Sequence, residues 1–388
     1  MMVRSLSVAA NGLMSFAFIV MIALPAVAQF TGFNRTSVAE NRELADFPEA
    51  LDWREPERFT QAFDAYYQDH FGLRALLIET YARFRVFFRV SPSDKVVIGS
   101  DGWLFFNGNK VLENYRGLRP LKIYELERTR QHLEAKRDWL NARGIEYIYA
   151  VAPDKHTIYP EFLPGRIRQG IGPTRLEQLL DYLALHSDFQ ILDLRNALRV
   201  GKSRHRVYHK TDTHWNLHGA RIGYKVIADR LRVLFPEFDP KGDEAYTVSW
   251  EAGEPGDLGR IIGIEGLYGE DQVNYKPRAG ACPQTLEPEI SPDYFKGAGV
   301  TTDARGCAEG QLQAVFFRDS FGNAMLQFLQ EDLQRVDHVN RRFEQAAMEA
   351  YIARRKPDVV IEMYVERLMV RIARPEEIAN LQAGAAAE

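Results

Sequence analysis

Apolar positions along the chain change their period several times, and each change predicts an element. Gly12–Ala28 (GLMSFAFIVMIALPAVA) is uncharged and mostly apolar, a run that suits a bilayer or a signal peptidase better than a packing surface. Residues 29–55 are polar, with Pro48 inside and Pro56 just beyond, and predict an extended arm. From Glu57 to about Val90 helical spacing appears in two stretches broken at Gly72. Phe59, Phe63, Tyr66 and Tyr67 recur on one face there, predicting core or helix-packing surface rather than a cofactor box. Lys95–Ile98 and Trp103–Phe106 read as strands joined by Gly99-Ser100-Asp101-Gly102, whose Asp-Gly supplies the positive φ of a tight hairpin.

After Pro120 helices and short apolar strands alternate. Helices are predicted over Tyr124–Arg143 (ended by Gly144), Arg175–Leu185, Trp215–Leu234, Asn323–Leu329 and Phe343–Arg354. Strands are predicted over Ile145–Val151, Gln190–Leu194, Leu312–Phe317, Arg335–Val339 and Val359–Met363, with a loop-rich insert at about 240–311. This alternation implies an α/β fold with a mainly parallel central sheet covered on both faces. Ligands of such sheets bind beyond the carboxyl ends of the strands. Three polar segments fall there: Pro153-Asp154-Lys155-His156, Arg318-Asp319-Ser320-Phe321-Gly322, and Tyr364-Val365-Glu366-Arg367.

Composition adds little: 46% apolar and 26% charged residues describe an ordinary globular chain, and a net charge of −4 gives no general attraction to nucleic acid. The N-terminus is more informative. Arg4 precedes the apolar run and Ala26-Val27-Ala28 fits a small-x-small cleavage site before Gln29, so export is expected. Cleavage and retention as an anchor both stay open. Cys282 and Cys307, in a Gly- and Pro-rich stretch without CxxC context, are expected to form a structural disulfide in an oxidising periplasm.

Two segments carry candidate chemistry. In Phe317–Asn323 an apolar strand runs into a turn bearing Ser320 and then into a helix, which would expose the serine Oγ among helix N-terminal N–H groups. The same serine could simply cap that helix. In Tyr208–His218, Asp212 and His214 are two residues apart, so an extended segment would point both the same way and let the carboxylate orient the imidazole. The backbone N–H of Ser320 is one expected oxyanion donor, and Asn323 is a candidate for the second. His205, His209, His214 and His218 also allow a zinc reading, but that leaves the serine without a role and the cluster without a base.

Thr211-Asp212-Thr213-His214-Trp215 together with Arg318-Asp319-Ser320-Phe321 resembles the alginate O-acetyltransferase family (AlgJ/AlgX-like). Asn41-Arg42-x-Leu44-Ala45-x-Phe47-Pro48, Asp69-His70-Phe71-Gly72-x-Arg74, Gly102-Trp103-Leu104-Phe105, Pro153-Asp154-Lys155-x-x-Ile158-Tyr159-Pro160 and Val365-Glu366-Arg367 extend the likeness over roughly residues 40–370. The resemblance implies an SGNH-hydrolase-like three-layer fold behind an N-terminal export segment and helical arm. Its expected parts are a signal peptide or anchor at 1–28, an arm, helices and hairpin at 29–120, and a catalytic core at 121–388. It implies Ser320 as acetyl-accepting nucleophile, His214 as base and Asp212 as its orienting carboxylate, without cofactor or metal. The implied activity is O-acetylation of an exported, alginate-like polysaccharide in the periplasm. A multi-spanning membrane acyltransferase would be the donor, and exopolysaccharide or a second transferase the acceptor. The chain ends soon after Arg367, with no room for a C-terminal carbohydrate-binding module, which places it nearer the AlgJ branch. A periplasmic carbohydrate acetylesterase and a non-catalytic envelope-assembly protein are the alternatives.

Overall fold

The computed structural model describes residues 2–31, 44–48, 54–264, 269–297 and 299–387. It divides into two compact units, Met1–Ser93 with Gly259–Leu267, and Asp94–Leu258 with Tyr268–Glu388.

In the first unit, α1 (Met2–Phe30) contains a window, Asn11–Ala28, of mean hydropathy 2.0 that is long and apolar enough to cross a membrane. It fits a signal sequence or a membrane anchor. Most of the predicted arm, including Asn41 and Arg42, lies outside the described residues. Helices α2 (Pro56–His70) and α3 (Arg74–Phe87) flank the break at Gly72. Pro56 opens α2 at a position where its missing N–H costs nothing. The aromatic stripe of α2 is not core, contrary to its spacing: no residue of that helix is buried. Its rings instead form a ladder, Phe59 on Phe63 and Phe63 on Tyr67, with Phe47 packed edge-on against Phe63 and Tyr66. Periodicity reports a shared face and says nothing about whether that face is covered.

The second unit opens with the predicted hairpin, β1 (Val96–Ile98) and β2 (Leu104–Phe106). Asp101 and Gly102 both have positive φ, 54° and 77°. A seven-stranded sheet follows in the order β4-β3-β11-β9-β10-β8-β7, where β3 is Glu146–Ala152, β4 Leu192–Asp193, β7 Gln284–Leu286, β8 Thr302–Gly306, β9 Gln313–Arg318, β10 Arg335–Val339 and β11 Val359–Val365. The five strands from β4 to β10 are parallel.

Side-chain alternation sorts the central strands into two cores. Ile148, Ala150, Ala314, Phe316, Ile361 and Met363 face one layer with α6 (Arg195–Gly201), α7 (Leu217–Leu234) and α8 (Gly322–Asp332). Tyr147, Val151, Val315, Phe317, Val360 and Tyr364 face the other, with α4 (Ile123–Asn141), α5 (Arg175–His186), α9 (Gln345–Ile352) and α10 (Pro375–Ala386). Shifting any of these strands by one residue would exchange its two faces, so burial on both sides still fixes the register through side-chain size and partner. Here α4–α10 are the longer helices of this unit, and α4, which leads into β3, ends at Asn141, just ahead of Gly144 with its φ of 65°.

The insert is richer in strands than its composition suggested. Tyr246–Gly253 (β5) and Glu270–Pro277 (β6) pair in a separate antiparallel ribbon. β8 extends the central sheet antiparallel to β10, and β7 pairs antiparallel with β8. Their polar, half-exposed residues lack the apolar run by which buried strands are recognised. Cys282 and Cys307 are bonded, with Cα atoms 5.3 Å apart, next to the register pair Gln284 and Gly306. The bridge therefore staples the open end of the β7–β8 pair. Replacing both cysteines by serine should lower unfolding free energy by about 3 kcal/mol, read from urea melts, while leaving any ester turnover in place.

Candidate active site

Ser320 lies in the turn between β9 and α8, at the carboxyl edge of the sheet. Its Oγ is 2.8 Å from Nε2 of His214 and makes no cap bond to α8. The capping reading of the serine is thus not the one the geometry supports. Nδ1 of His214 is 2.6 Å from Oδ1 of Asp212. The structure so brings together all three residues singled out in the sequence, from segments 106 positions apart.

The path to that arrangement differs from the predicted extended segment. Residues 210–214 are bent, and Oδ1 of Asp212 also accepts the backbone N–H of His214 at 2.9 Å. This local turn, closed by the Asp side chain, aligns the two residues. Beside it Tyr208 bridges Trp215, and the His209 N–H donates to the His214 carbonyl. Helix α7 begins only at Leu217, capped by Asn216, whose side chain accepts the Gly219 N–H at 3.1 Å. Trp215 is thereby freed to donate its indole N–H to the Phe321 carbonyl at 3.0 Å, with the rings of Trp215 and His214 packed on Phe321.

The nucleophile turn uses the same device. Asp319 Oδ1 accepts the Phe321 N–H at 2.9 Å, and Oδ2 accepts the Val365 N–H at 2.7 Å, tying the end of β9 to the end of β11. Burial pushes the Asp319 carboxyl up, against these donors and the nearby Arg367 charge. The Ser320 N–H donates to no group among the described residues, as an oxyanion donor requires. Asn323 lies exposed in the first turn of α8.

The three strand-end segments also meet. Arg367 pairs with Asp154, and its N–H donates to Asp154 Oδ2 at 3.0 Å. Glu366 accepts from Thr157 Oγ1 at 2.6 Å and from the Asp154 N–H at 3.2 Å. Burial pushes both carboxyls up, and the Asp154 charge adds to the effect on Glu366.

Several supporting residues carried no signal in sequence. The Asp257 N–H donates to Asp212 Oδ2 at 2.9 Å, while its carboxylate accepts from the Thr213 N–H at 2.6 Å. A Cβ on Gly256 would stand 2.2 Å from that of Asp212, so the close approach needs glycine. Burial works to raise the Asp212 pKa but is outweighed by the His214 hydrogen bond and charge and by the two N–H donors, leaving the carboxyl well below its usual range. Glu270, buried at the foot of β6, accepts from the N–H groups of Lys210 and Thr211 and from Thr211 Oγ1 at 2.6 Å. Burial opposes its ionisation, but His209, Thr211 and those N–H groups prevail and lower its pKa to about 2. Lys155, buried, donates to the carbonyls of Leu104 and Lys210, and burial lowers its pKa to about 7 against the charges of Glu270, Asp212 and Asp257.

The four histidines do not gather. His205 stacks on His218, whose Nδ1 meets Tyr275 Oη at 2.7 Å, while His209 lies 3.6 Å from Glu270 and His214 is engaged with Ser320. Ligand atoms of Asp212, His214 and Asp257 do lie within 4.8 Å of one another. Both oxygens of Asp212, both ring nitrogens of His214 and Oδ1 of Asp257 already take part in the hydrogen bonds above.

Residues 96–288 match the family described as SGNH hydrolase-like domain, acetyltransferase AlgX, a span that holds Asp212 and His214 and stops short of Ser320. A probable alginate O-acetylase AlgJ of Pseudomonas aeruginosa is 27% identical over 297 residues, covering 71% of this chain and 70% of that protein. The chain is AlgJ/AlgX-like. A probable AlgJ of Azotobacter vinelandii is 24% identical over 276 residues, 70% of this chain and 68% of its own length. In three dimensions Bacillus cereus PatB1 superposes with a TM-score of 0.54 at 18% identity, over 72% of this chain and 99% of that one, a likeness of fold. The AlgJ/AlgX-like domain is thus an SGNH-type, O-acetyltransferase-class domain, as the resemblance implied.

Glu270 sets a pH test for its scaffold. A carboxyl with a lowered folded-state pKa stabilises fully above its unfolded value, about 4.5, and that stability is lost as pH falls toward about 2. Glu270→Gln should cost about 1–3 kcal/mol at neutral pH and flatten the acid limb of the urea midpoint between those values. Gly256→Ala should displace Asp212, backbone included, so that ester turnover falls at least about tenfold and the melting midpoint falls with it.

Proposed function

We propose that the chain transfers acetyl groups to hydroxyls of an exported, alginate-like polysaccharide through an acetyl-Ser320 intermediate. The observation that carries this reading is the continuous line from Ser320 Oγ through both ring nitrogens of His214 to Asp212, at 2.8 and 2.6 Å. In the first half-reaction Ser320 Oγ forms a bond to the carbonyl carbon of the donor ester and its proton passes to His214 Nε2. The tetrahedral oxyanion is stabilised by the Ser320 N–H, then collapses as the donor oxygen leaves with the proton from His214. In the second half an acceptor hydroxyl attacks the acetyl-Ser320 carbonyl, gives its proton to His214, and the serine leaves reprotonated. Asp212 holds the imidazole tautomer and balances its transient positive charge.

The AlgJ relatives are named as alginate O-acetylases, which supports a polyuronate acceptor. A multi-spanning membrane acyltransferase fits as donor and the periplasm as the place of reaction, since α1 suits an exported or anchored chain. Ser320 is solvent-exposed, and that single feature favours the second reading, a carbohydrate acetylesterase in which water is the acceptor.

Ser320→Ala, His214→Ala and Asp212→Ala should each lower turnover of an activated acetyl ester by roughly 10³-fold or more, without additivity in the double variants. Circular dichroism should show an unchanged fold. Near-normal turnover by folded Ser320→Ala would sink the mechanism. Deleting the gene separates the two readings: a transferase predicts less acetyl on the exported polymer, an esterase more.

A further inference from the structure

Helix α3 is turned inside out relative to the helices of a soluble domain. Its small residue Ala82 is 2% exposed, whereas Leu77, Tyr81, Phe84 and Phe88, at i, i+4, i+7 and i+11, are 53, 53, 63 and 59% exposed. Leu76, Ile78 and Phe87 widen the stripe, and Phe87 is 81% exposed. A helix normally puts such a stripe toward the core, and contiguous exposed apolar surface of this kind marks a contact.

The flanking charges narrow the choice of contact. Residues 74–89 hold four arginines, Arg74, Arg83, Arg85 and Arg89, against the single acid Glu79, with which Arg83 is paired. Arg85 is held beside the stripe by bonds to Tyr81 Oη and the Ser91 carbonyl, both 2.8 Å. An apolar, aromatic-rich face edged by arginines is the pattern of a helix lying in a membrane interface, its rings at the acyl boundary and its guanidinium groups at lipid phosphates. The same unit carries α1, long and apolar enough to cross a membrane. A helix tethered to a bilayer in this way meets that surface at an effective concentration on the order of millimolar, so modest affinity suffices.

We propose that α3 is a second membrane contact, an interfacial helix that lays Leu77, Tyr81, Phe84, Phe87 and Phe88 into an anionic lipid bilayer. The contact is independent of the ester chemistry at Ser320.

The test uses the full chain in proteoliposomes of phosphatidylethanolamine and phosphatidylglycerol with brominated acyl chains. Phe84→Trp adds one reporter to the five native tryptophans, and Leu185→Trp, 79% exposed on α5 of the other unit, serves as the comparison. The added Phe84→Trp emission should shift to the blue and lose roughly half its intensity to bromine, as expected for a ring at the acyl boundary. The effect should shrink when phosphatidylglycerol is replaced by phosphatidylcholine. The Leu185→Trp emission should stay unquenched. Unquenched Phe84→Trp emission would overturn the proposal and assign the face to a protein surface. Equal quenching of the two reporters would overturn it as well, and equal quenching in phosphatidylcholine would overturn the anionic-lipid assignment.

Discussion

Behind the Ser320–His214 contact itself, one hydrogen bond ties the two halves of the candidate site together: the Trp215 indole N–H on the Phe321 carbonyl. Trp215 follows the base and Phe321 follows the nucleophile, so this bond fixes the spacing of His214 and Ser320 through their own backbones. Both partners are buried, and breaking the bond would leave the indole N–H unpaired in an apolar setting. The ring contact between Trp215 and Phe321 excludes water from it. A reacting pair held this way needs no adjustment of side chains before proton transfer, which is how a serine and a histidine gain from preorganisation.

Around that joint the chain uses carboxylates as backbone fasteners. Asp212, Asp319, Asp257 and Glu270 each accept main-chain N–H groups from a bent loop. Loops at the end of a parallel sheet carry many N–H groups that no strand can satisfy, and an ionised carboxylate takes two or more of them at once. The arrangement explains why the site is rich in acids although only Asp212 faces the histidine ring. It also gives the β5–β6 ribbon a purpose, since Glu270 and the segment just past Gly253 hold the Asp212 loop from behind.

The sheet, its covering helices and the three residues that meet at the candidate site were legible because they depend on local pattern. Apolar runs such as Val359–Met363 have few other readings between two helices, and a serine directly after a strand is placed by the strand itself. The alignment of Asp212 with His214 was legible for the wrong reason: the pairing came from a side-chain-closed turn, not from extended alternation. Gly256, Asp257 and Glu270 were not legible, since their role lies in contacts across some 45–60 positions and their segment is polar on both faces. The aromatic stripe of α2 and the exposed face of α3 show the converse limit. Helical spacing reveals a face, and only the fold reveals whether anything covers it.

The central position of β11 has a consequence for how the protein comes into being. This strand lies between β3 and β9, yet it is made from residues 359–365, near the end of the chain. Until it emerges, β3 and β9 have no shared neighbour, and Asp319 has no Val365 N–H to grip. A chain threaded through a membrane from its N-terminus would therefore deliver its histidine and its serine long before the strand that locks them in register. The candidate site would then assemble only once residues 359–365 are available, and a chain ended before them would lack the strand that links β3 to β9.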